Sequence, residues 1–437
     1  MSTESDSKPS VLLINRVFPP DRGTTGRLVR DLSLAFAKDG WHVNVVCASR
    51  SKSVERHKNN DIRVHRVKAP ITAETGWQYF KAWCKMAMTA RRLPSHDLVI
   101  SMTDPPLLVV AASMIARRKK SAHIHWCQDV YPDLLPVLGI NLPGFFYKIL
   151  LTLSRRAMNH CDKIVVIGRD MGNYLIREGI SPSKISVVPN WPNMELVRPS
   201  GGYHRPAGHD DNPQKGTNGK HHYATEIRAM QKGQEPIINL FKDKNNPRFR
   251  ILYAGSIGLA HPIQTILDSA EILNQSNPEI EFVFVGDGPA FEHLAEERAR
   301  RNIQNIRLVP FQPTHNLREL MESGDVHLIS MTDKSQGLLV PSKLYSALAV
   351  ARPTIFLGPE QSEVAKVIRD FKAGIVLPQG DPQKLADIIK HYRYDADDWF
   401  AAQHGAAEGG QTFVPRQSII AFLKRSHSVF NATKSKK

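Results

Sequence analysis

Acidic residues, cysteine and long apolar runs are all scarce in this chain, and each scarcity excludes something. Its four cysteines (Cys47, Cys84, Cys127, Cys161) stand apart with no CxxC pair, which argues against structural zinc and for a reducing compartment. No apolar run approaches the ~18 residues a membrane-spanning helix needs. The opening MSTESDSKPS lacks the basic-then-apolar order of a secretion signal, so the expected location is cytoplasmic, peripheral on the inner face of the cell membrane. No glycine cluster follows the GxGxxG dinucleotide spacing, which excludes an ordinary nicotinamide enzyme. The 42 acidic residues are outnumbered by 58 basic ones, a net charge of +16. That balance suits an anionic partner such as a membrane surface or a phosphorylated substrate. Nucleic acid, supported by charge alone, is not expected.

What is present is a repeated alternation of apolar strands and amphipathic helices. The stretch Asp325–Gly358 carries it most clearly. Val326–Ser330 reads as a buried strand and Thr332–Gly337 as a polar loop. Pro341-Ser342-Lys343 reads as a helix start with Ser342 as its cap, the helix running to about Val350, and Thr354–Leu357 as the next strand. A helix N-terminus at the carboxyl edge of a parallel sheet favours phosphate, and Lys343 adds charge there. A plain packing unit is the alternative.

The first half opens the same way, with strand Val11–Ile14, a loop from Phe18 to Gly26, helix Arg27–Lys38 and strand His42–Cys47. Gly23 and Gly26 let backbone approach a ligand closely, unless they simply form a turn. Helix Gly76–Arg92 sets Trp77, Phe80, Trp83 and Met86 near one side, with Arg91 and Arg92 at its end. Aromatic plus basic residues suit a membrane interface, and a core helix is the alternative. Phe145–Leu151 and Arg117–Lys120 are assigned to the same surface. Strand His123–Asp129 ends on a carboxylate. A charge there is costly unless it is used or paired, so Asp129 is a functional candidate, while His125 suits a satisfied core histidine. Residues 201–248 shift to Gly, His, Lys, Asn and Asp without periodicity, and their four histidines (His204, His209, His221, His222) have no ordered frame for a metal. The second half restarts with strand Arg250–Ala254 and Gly255-Ser256-Ile257-Gly258, then strand Glu281–Val285 and Gly286-Asp287-Gly288-Pro289. These readings divide the chain into 10–198, 199–248, 249–410 and a terminal helix and tail, 411–437.

At this point the residues resemble a known family. The markers are Phe18-Pro-Pro with Gly23–Gly26, Trp126-Cys-Gln-Asp129-Val-Tyr-Pro132, Val188-Pro-Asn-Trp191, Tyr253-Ala-Gly-Ser-Ile-Gly258, Val285-Gly-Asp-Gly-Pro289 and Pro341-Ser-Lys-Leu-Tyr345. In this order they resemble a family-4 retaining glycosyltransferase, in the bacterial branch of colanic-acid and O-antigen fucosyl- and N-acetylfucosaminyltransferases. The resemblance implies an α/β fold of two Rossmann-like domains facing across a cleft (GT-B type), with the C-terminal helix crossing back to the first. It implies transfer of a sugar from a nucleoside-diphosphate donor to the hydroxyl of a saccharide or lipid-linked acceptor, without a metal. By resemblance, Gly23, Gly26, Gly255, Ser256, Gly258 and the start of the helix at Pro341, Ser342, Lys343 and Leu344 hold the diphosphate. Gly286, Asp287, Gly288 and Phe311 line the base, and Asp129 orients the acceptor or takes its proton. The pattern departs at four places, one of them the absence of the usual glycine near Ala351. Ser256 replaces an arginine, His261 stands near the usual lysine, and Ser346 replaces the second of two glutamates. Lys343 is then the main phosphate cation, helped by Arg22 or Arg27. The same departures suit an alternative, a non-catalytic sugar-nucleotide-binding or scaffold subunit. A nucleotide-sugar epimerase shares the architecture but needs other carboxylates.

Overall fold

The computed structural model describes residues 8–57, 61–71, 75–197, 248–255, 257–258, 260, 262–287 and 289–435. The four histidines of the 201–248 stretch lie outside the described residues, as do Ser256, His261 and Gly288. The chain divides into two compact units. The first comprises the residues up to Asn190, the segment Gly337–Val340 and everything from Pro415 on; the second comprises Trp191–Gln336 and Pro341–Val414.

In the first unit the elements follow as β1 (Ser10–Ile14), α1 (Thr24–Lys38), β2 (His42–Ser49), β3 (Ser53–Arg56), β4 (Ile62–Lys68), α2 (Gly76–Arg92) and β5 (Leu98–Ser101). They continue as α3 (Leu108–Lys119), β6 (Ala122–Cys127), α4 (Gly144–His160), β7 (Lys163–Val166), α5 (Arg169–Arg177) and β8 (Ile185–Val187). The sheet order is β3-β4-β2-β1-β5-β6-β7-β8, parallel except for β3 against β4. The central strands are apolar on both faces, as parallel strands covered by helices must be. Strand order runs leftward from β1 to β2 and rightward from β5 onward, so right-handed crossovers put α1 on one face and α2, α3 and α4 on the other. The packing agrees, with α2 against α3 and α3 against α4.

The second unit follows as β9 (Phe249–Ala254), α6 (Gln264–Ser276), β10 (Ile280–Val285), α7 (Pro289–Arg300), β11 (Ile306–Val309), α8 (Leu317–Glu322) and β12 (Val326–Ser330). It ends with α9 (Lys343–Ala349), β13 (Thr354–Leu357), α10 (Glu363–Phe371), β14 (Gly374–Leu377), α11 (Pro382–Tyr394) and α12 (Ala396–Thr412). Its six strands are all parallel, in the order β11-β10-β9-β12-β13-β14. Phe249, Ile251, Phe282, Phe284 and Ile355 form the centre of its core, closed from α12 by Trp399. The last helix, α13 (Pro415–Lys434), returns to the first unit, where it packs on α1 and β6. Phe422 lies 4.8 Å from the Trp126 ring, and Phe430 and His427 close over Trp41.

Strands Val326–Ser330 and Thr354–Leu357 and helix Gly76–Arg92 lie where the sequence places them. Five elements were not foreseen: β3, α3, α4, α10 and α12. Helix α12 carries three glycines, which lower helix propensity. Packing overrides it. A Cβ on Gly405 would sit 2.0 Å from the Phe371 carbonyl oxygen, and one on Gly410 2.4 Å from that of Leu348. The terminal helix is also longer at both ends than the expected Ser418–Phe430. Among the described residues no helix is long and apolar enough to cross a membrane. Gly405→Ala, which in an exposed helix would stabilise by about 1 kcal/mol, is expected instead to destabilise by roughly 1–3 kcal/mol, read as a lower urea midpoint.

Candidate active site

In an open α/β sheet, ligands bind beyond the carboxyl ends of the strands where strand order reverses. In the second unit this point lies between β9 and β12. Gly255 follows β9 directly, with φ at +113°, and its N–H donates to the Val285 carbonyl at 2.7 Å. Gly286 follows β10, and a Cβ there would lie 2.5 Å from the Gly255 carbonyl oxygen. Two glycines thus let the ends of β9 and β10 touch backbone to backbone. The missing side chain of Gly255 also leaves room for Lys343, whose Cε lies 3.2 Å from where a Cβ would stand. The Lys343 ammonium sits 5.0 Å from the centre of the Tyr253 ring, and that ring stacks on Phe284. Burial lowers the Lys343 pKa to about 8. A cation held in such surroundings gains most from an anion brought to it. Gly258 borders open space, Asp287 is exposed, and Phe311 is half-buried in the loop after β11. Pro341 and Leu344 are buried, and Ser346 is half-buried on α9.

Two expectations need correction. Ser342 does not cap α9 through its side chain: its backbone is already helical (φ −66°, ψ −14°), and its hydroxyl makes no cap hydrogen bond. The segment Gly23–Gly26 is not a loop, since α1 begins at Thr24. Gly26 lies buried in that first turn, where a Cβ would meet the Val17 backbone at 3.0 Å. Its glycine is explained by this packing without a ligand. Arg27 is directed to Asp31 at 3.3 Å, and Arg22 is exposed.

In the first unit strand order reverses between β1 and β5. Three charged residues follow three adjacent strands there: Arg16 after β1, Asp104 after β5 and Asp129 after β6. Arg16 donates through Nε to Asp104 Oδ1 at 2.6 Å and through Nη1 to the Ile71 carbonyl, and it lies 5.0 Å from the centre of the Tyr79 ring. Asp129 forms no ion pair among the described residues, and burial, reinforced by the charge of Asp104, raises its pKa to about 7. Its backbone is held by Leu339, in an antiparallel bridge, and the Val130 N–H donates to the Leu338 carbonyl at 2.8 Å. Asp129 is thus a carboxyl that can hold or take a proton near neutrality. His125 bonds to Ser101, and burial lowers its pKa to about 4, so it is a neutral core residue. Sequence reasoning missed Arg16 and Asp104. The available signal was a charged residue just past each of two apolar strands.

Trp77 and Phe80 are exposed and stacked at 5.5 Å, and Arg91 and Arg92 are exposed at the far end of α2. Trp83 instead leans on the core, its indole N–H donating to the Leu107 carbonyl at 3.2 Å. Met86 is core. Among the described residues one group with cation-ligating atoms in reach of each other is His391, Asp395 and Asp398. Its contacts are otherwise accounted for, since Asp395 caps α12 and His391 bonds Asp398 at 2.6 Å.

Two glycine-lined strand ends with a buried lysine in one unit, and a raised carboxyl in the other, suit a transferase acting on a phosphorylated donor. Residues 23–191 match the family described as "Glycosyl transferase 4-like domain", and residues 248–393 match "Glycosyl transferases group 1". With both matches and this fold, the chain is a two-domain glycosyltransferase of the GT-B type. It is 23% identical over 313 residues to the probable glycosyltransferase WbjE of Pseudomonas aeruginosa, covering 71% of this chain and 70% of that one. It is 22% identical over 287 residues to the putative colanic acid biosynthesis glycosyl transferase WcaI of Escherichia coli, covering 65% of this chain and 63% of that one. Anabaena HepE, solved in complex with UDP, superposes with a TM-score of 0.64 at 14% identity, over 96% of this chain and all of that one.

Two mutations test the site. An unfolded carboxylate titrates near 4, so the raised pKa of Asp129 means stability that is present below about pH 4 and lost as pH rises toward 7. Asp129→Asn is expected to gain about 1–2 kcal/mol over the wild type between pH 5 and pH 8, by chemical denaturation, while transfer activity collapses. For Lys343 the sign is opposite: stability is full above the unfolded value and is lost as pH falls through about 8. Lys343→Met should therefore melt no lower than the wild type at pH 7 without ligand, yet bind a nucleoside diphosphate at least about tenfold more weakly by calorimetry.

Proposed function

We propose that this glycosyltransferase moves a sugar from a UDP-linked donor to the hydroxyl of a lipid-linked saccharide, with retention at the anomeric carbon. The single observation that carries the donor half is the convergence of Gly255, Gly286 and Lys343 at the strand-order reversal of the second sheet. A leaving diphosphate brings negative charge to a partly desolvated ammonium, and that interaction strengthens as the glycosidic bond breaks. The lowered pKa of Lys343 also lets it lend a proton to the departing oxygen near neutrality. Lys343 does this without a metal in the proposed mechanism. Asp129 orients the acceptor hydroxyl and receives its proton. The UDP and UDP-glucose complexes of HepE support a uridine donor. The name of WcaI supports a polysaccharide product, with a hexose or deoxyhexose as the sugar moved. The excess of 58 basic over 42 acidic residues supports work at an anionic membrane surface, on the cytoplasmic side where nucleotide sugars are made.

A thermal-shift series with UDP, GDP and ADP and their sugars, in chelator, tests the donor. UDP alone should raise Tm, by about 2.7 kcal/mol of stabilisation at 100 times Kd. NMR of the anomeric proton in the product then reads retention. Stabilisation by UDP-sugar with no transfer to any acceptor would favour the non-catalytic reading. No stabilisation by any nucleotide would sink the donor assignment.

A further inference from the structure

Helices α2, α3 and α4 pack side by side on one face of the first sheet. Together they carry ten basic residues and no aspartate or glutamate. On the same helices an unusual amount of apolar surface faces water. Phe145 is 72% exposed and Phe146 59%, with Ile149 and Leu153 exposed further along α4 and Leu142 just before it. Trp77 is 62% exposed at the start of α2. The apolar side chains gather at the beginnings of α2 and α4. Both helices follow parallel strands, so both begin at the carboxyl edge of the sheet. Arg91, Arg92, Arg117 and Arg118 stand at the ends of α2 and α3, toward the other edge.

We propose that this face docks on an anionic lipid bilayer, with Phe145, Phe146 and Ile149 entering the headgroup boundary. A contiguous apolar patch of this kind needs an occupant. Charge chooses among the candidates. A second copy of the same face would set ten cations against ten. A bilayer bearing acidic headgroups matches a field of one sign, and aromatic side chains are favoured at its interface. Lys148, within a turn of the aromatic pair, and Arg156, further along the same helix, are both exposed on α4. Arg155 plays a different part, since Asp133 and Glu178 hold it. The inference rests on the proposed lipid-linked acceptor only for its purpose, because binding to vesicles is read without any transfer reaction.

The test uses the full chain and vesicles of phosphatidylcholine with or without phosphatidylglycerol, in flotation assays at low and high salt. The wild type should float with anionic vesicles and largely release at high salt or from phosphatidylcholine alone. Phe145→Ser with Phe146→Ser changes exposed side chains, so Tm should hold while partition falls at least about tenfold. Lys148→Glu with Arg156→Glu should weaken binding to a similar extent, at anionic vesicles only. The UDP-induced shift should persist in both variants, so a failure of the donor reading would appear in that measurement and not in flotation. Unchanged flotation of the aromatic variant would overturn the proposal. So would absence of wild-type binding, and a dimer seen by light scattering and abolished by the same variant would make the face a self-association surface instead.

Discussion

Right-handed crossovers are the constraint from which most of this molecule follows. A parallel strand pair can be joined only by a helix on one particular face, and that face depends on the direction of the step. In the first sheet the step from β1 goes one way and the steps from β5 go the other. The reversal opens a crevice at the carboxyl ends of β1 and β5, where Arg16 and Asp104 meet. The same rule gathers α2, α3 and α4 on one side, where their basic residues accumulate without a counter-charge on those helices. In the second sheet it places the first strand, β9, between β10 and β12 and opens the crevice that Gly255 and Lys343 share.

Within those crevices the governing energy is desolvation. Lys343 and Asp129 are both pushed toward their neutral forms, one to about 8 and the other to about 7. Both therefore change charge readily at physiological pH, and each contributes less stability than an exposed residue in its place would. Arg16 and Asp104 differ in having each other, paired at 2.6 Å, although burial still raises the Asp104 pKa against the pull of Arg16. The protein thus keeps an ion pair beside a carboxyl that has no such partner among the described residues, on neighbouring strands.

Strands were read accurately because their signal is local: VHLIS and TIFL are short apolar runs between turn residues, and buried parallel strands allow little else. Asp129 was also legible as a charge at the end of such a run, and Lys343 as a charge in the first turn of the helix that follows one. The failures share a non-local cause. Gly26 looked like a ligand loop, but the neighbour that requires its glycine is the Val17 backbone. Helix α12 was not foreseen, and its glycines admit the carbonyls of Phe371 and Leu348. Ser342 had the right side chain for a cap, yet its backbone had already turned helical. Asp104 could not be weighed until the neighbouring strands had been ordered. Trp83 and Trp77 have the same composition cue and opposite surroundings.

The first unit is assembled from three separated stretches of chain, the last beginning at Pro415. Synthesis runs from the N-terminus, so β6 and α1 emerge long before the helix that covers Trp126 and Trp41. The second unit, apart from the brief excursion at Gly337–Val340, is finished first. A nascent chain must therefore carry the first sheet without its closing helix, with two tryptophans uncovered, through the whole of the second unit's translation. No single cut in the chain would release the first unit whole. A fragment ending at Asn190 would lack both its closing helix and the bridge partner of Asp129.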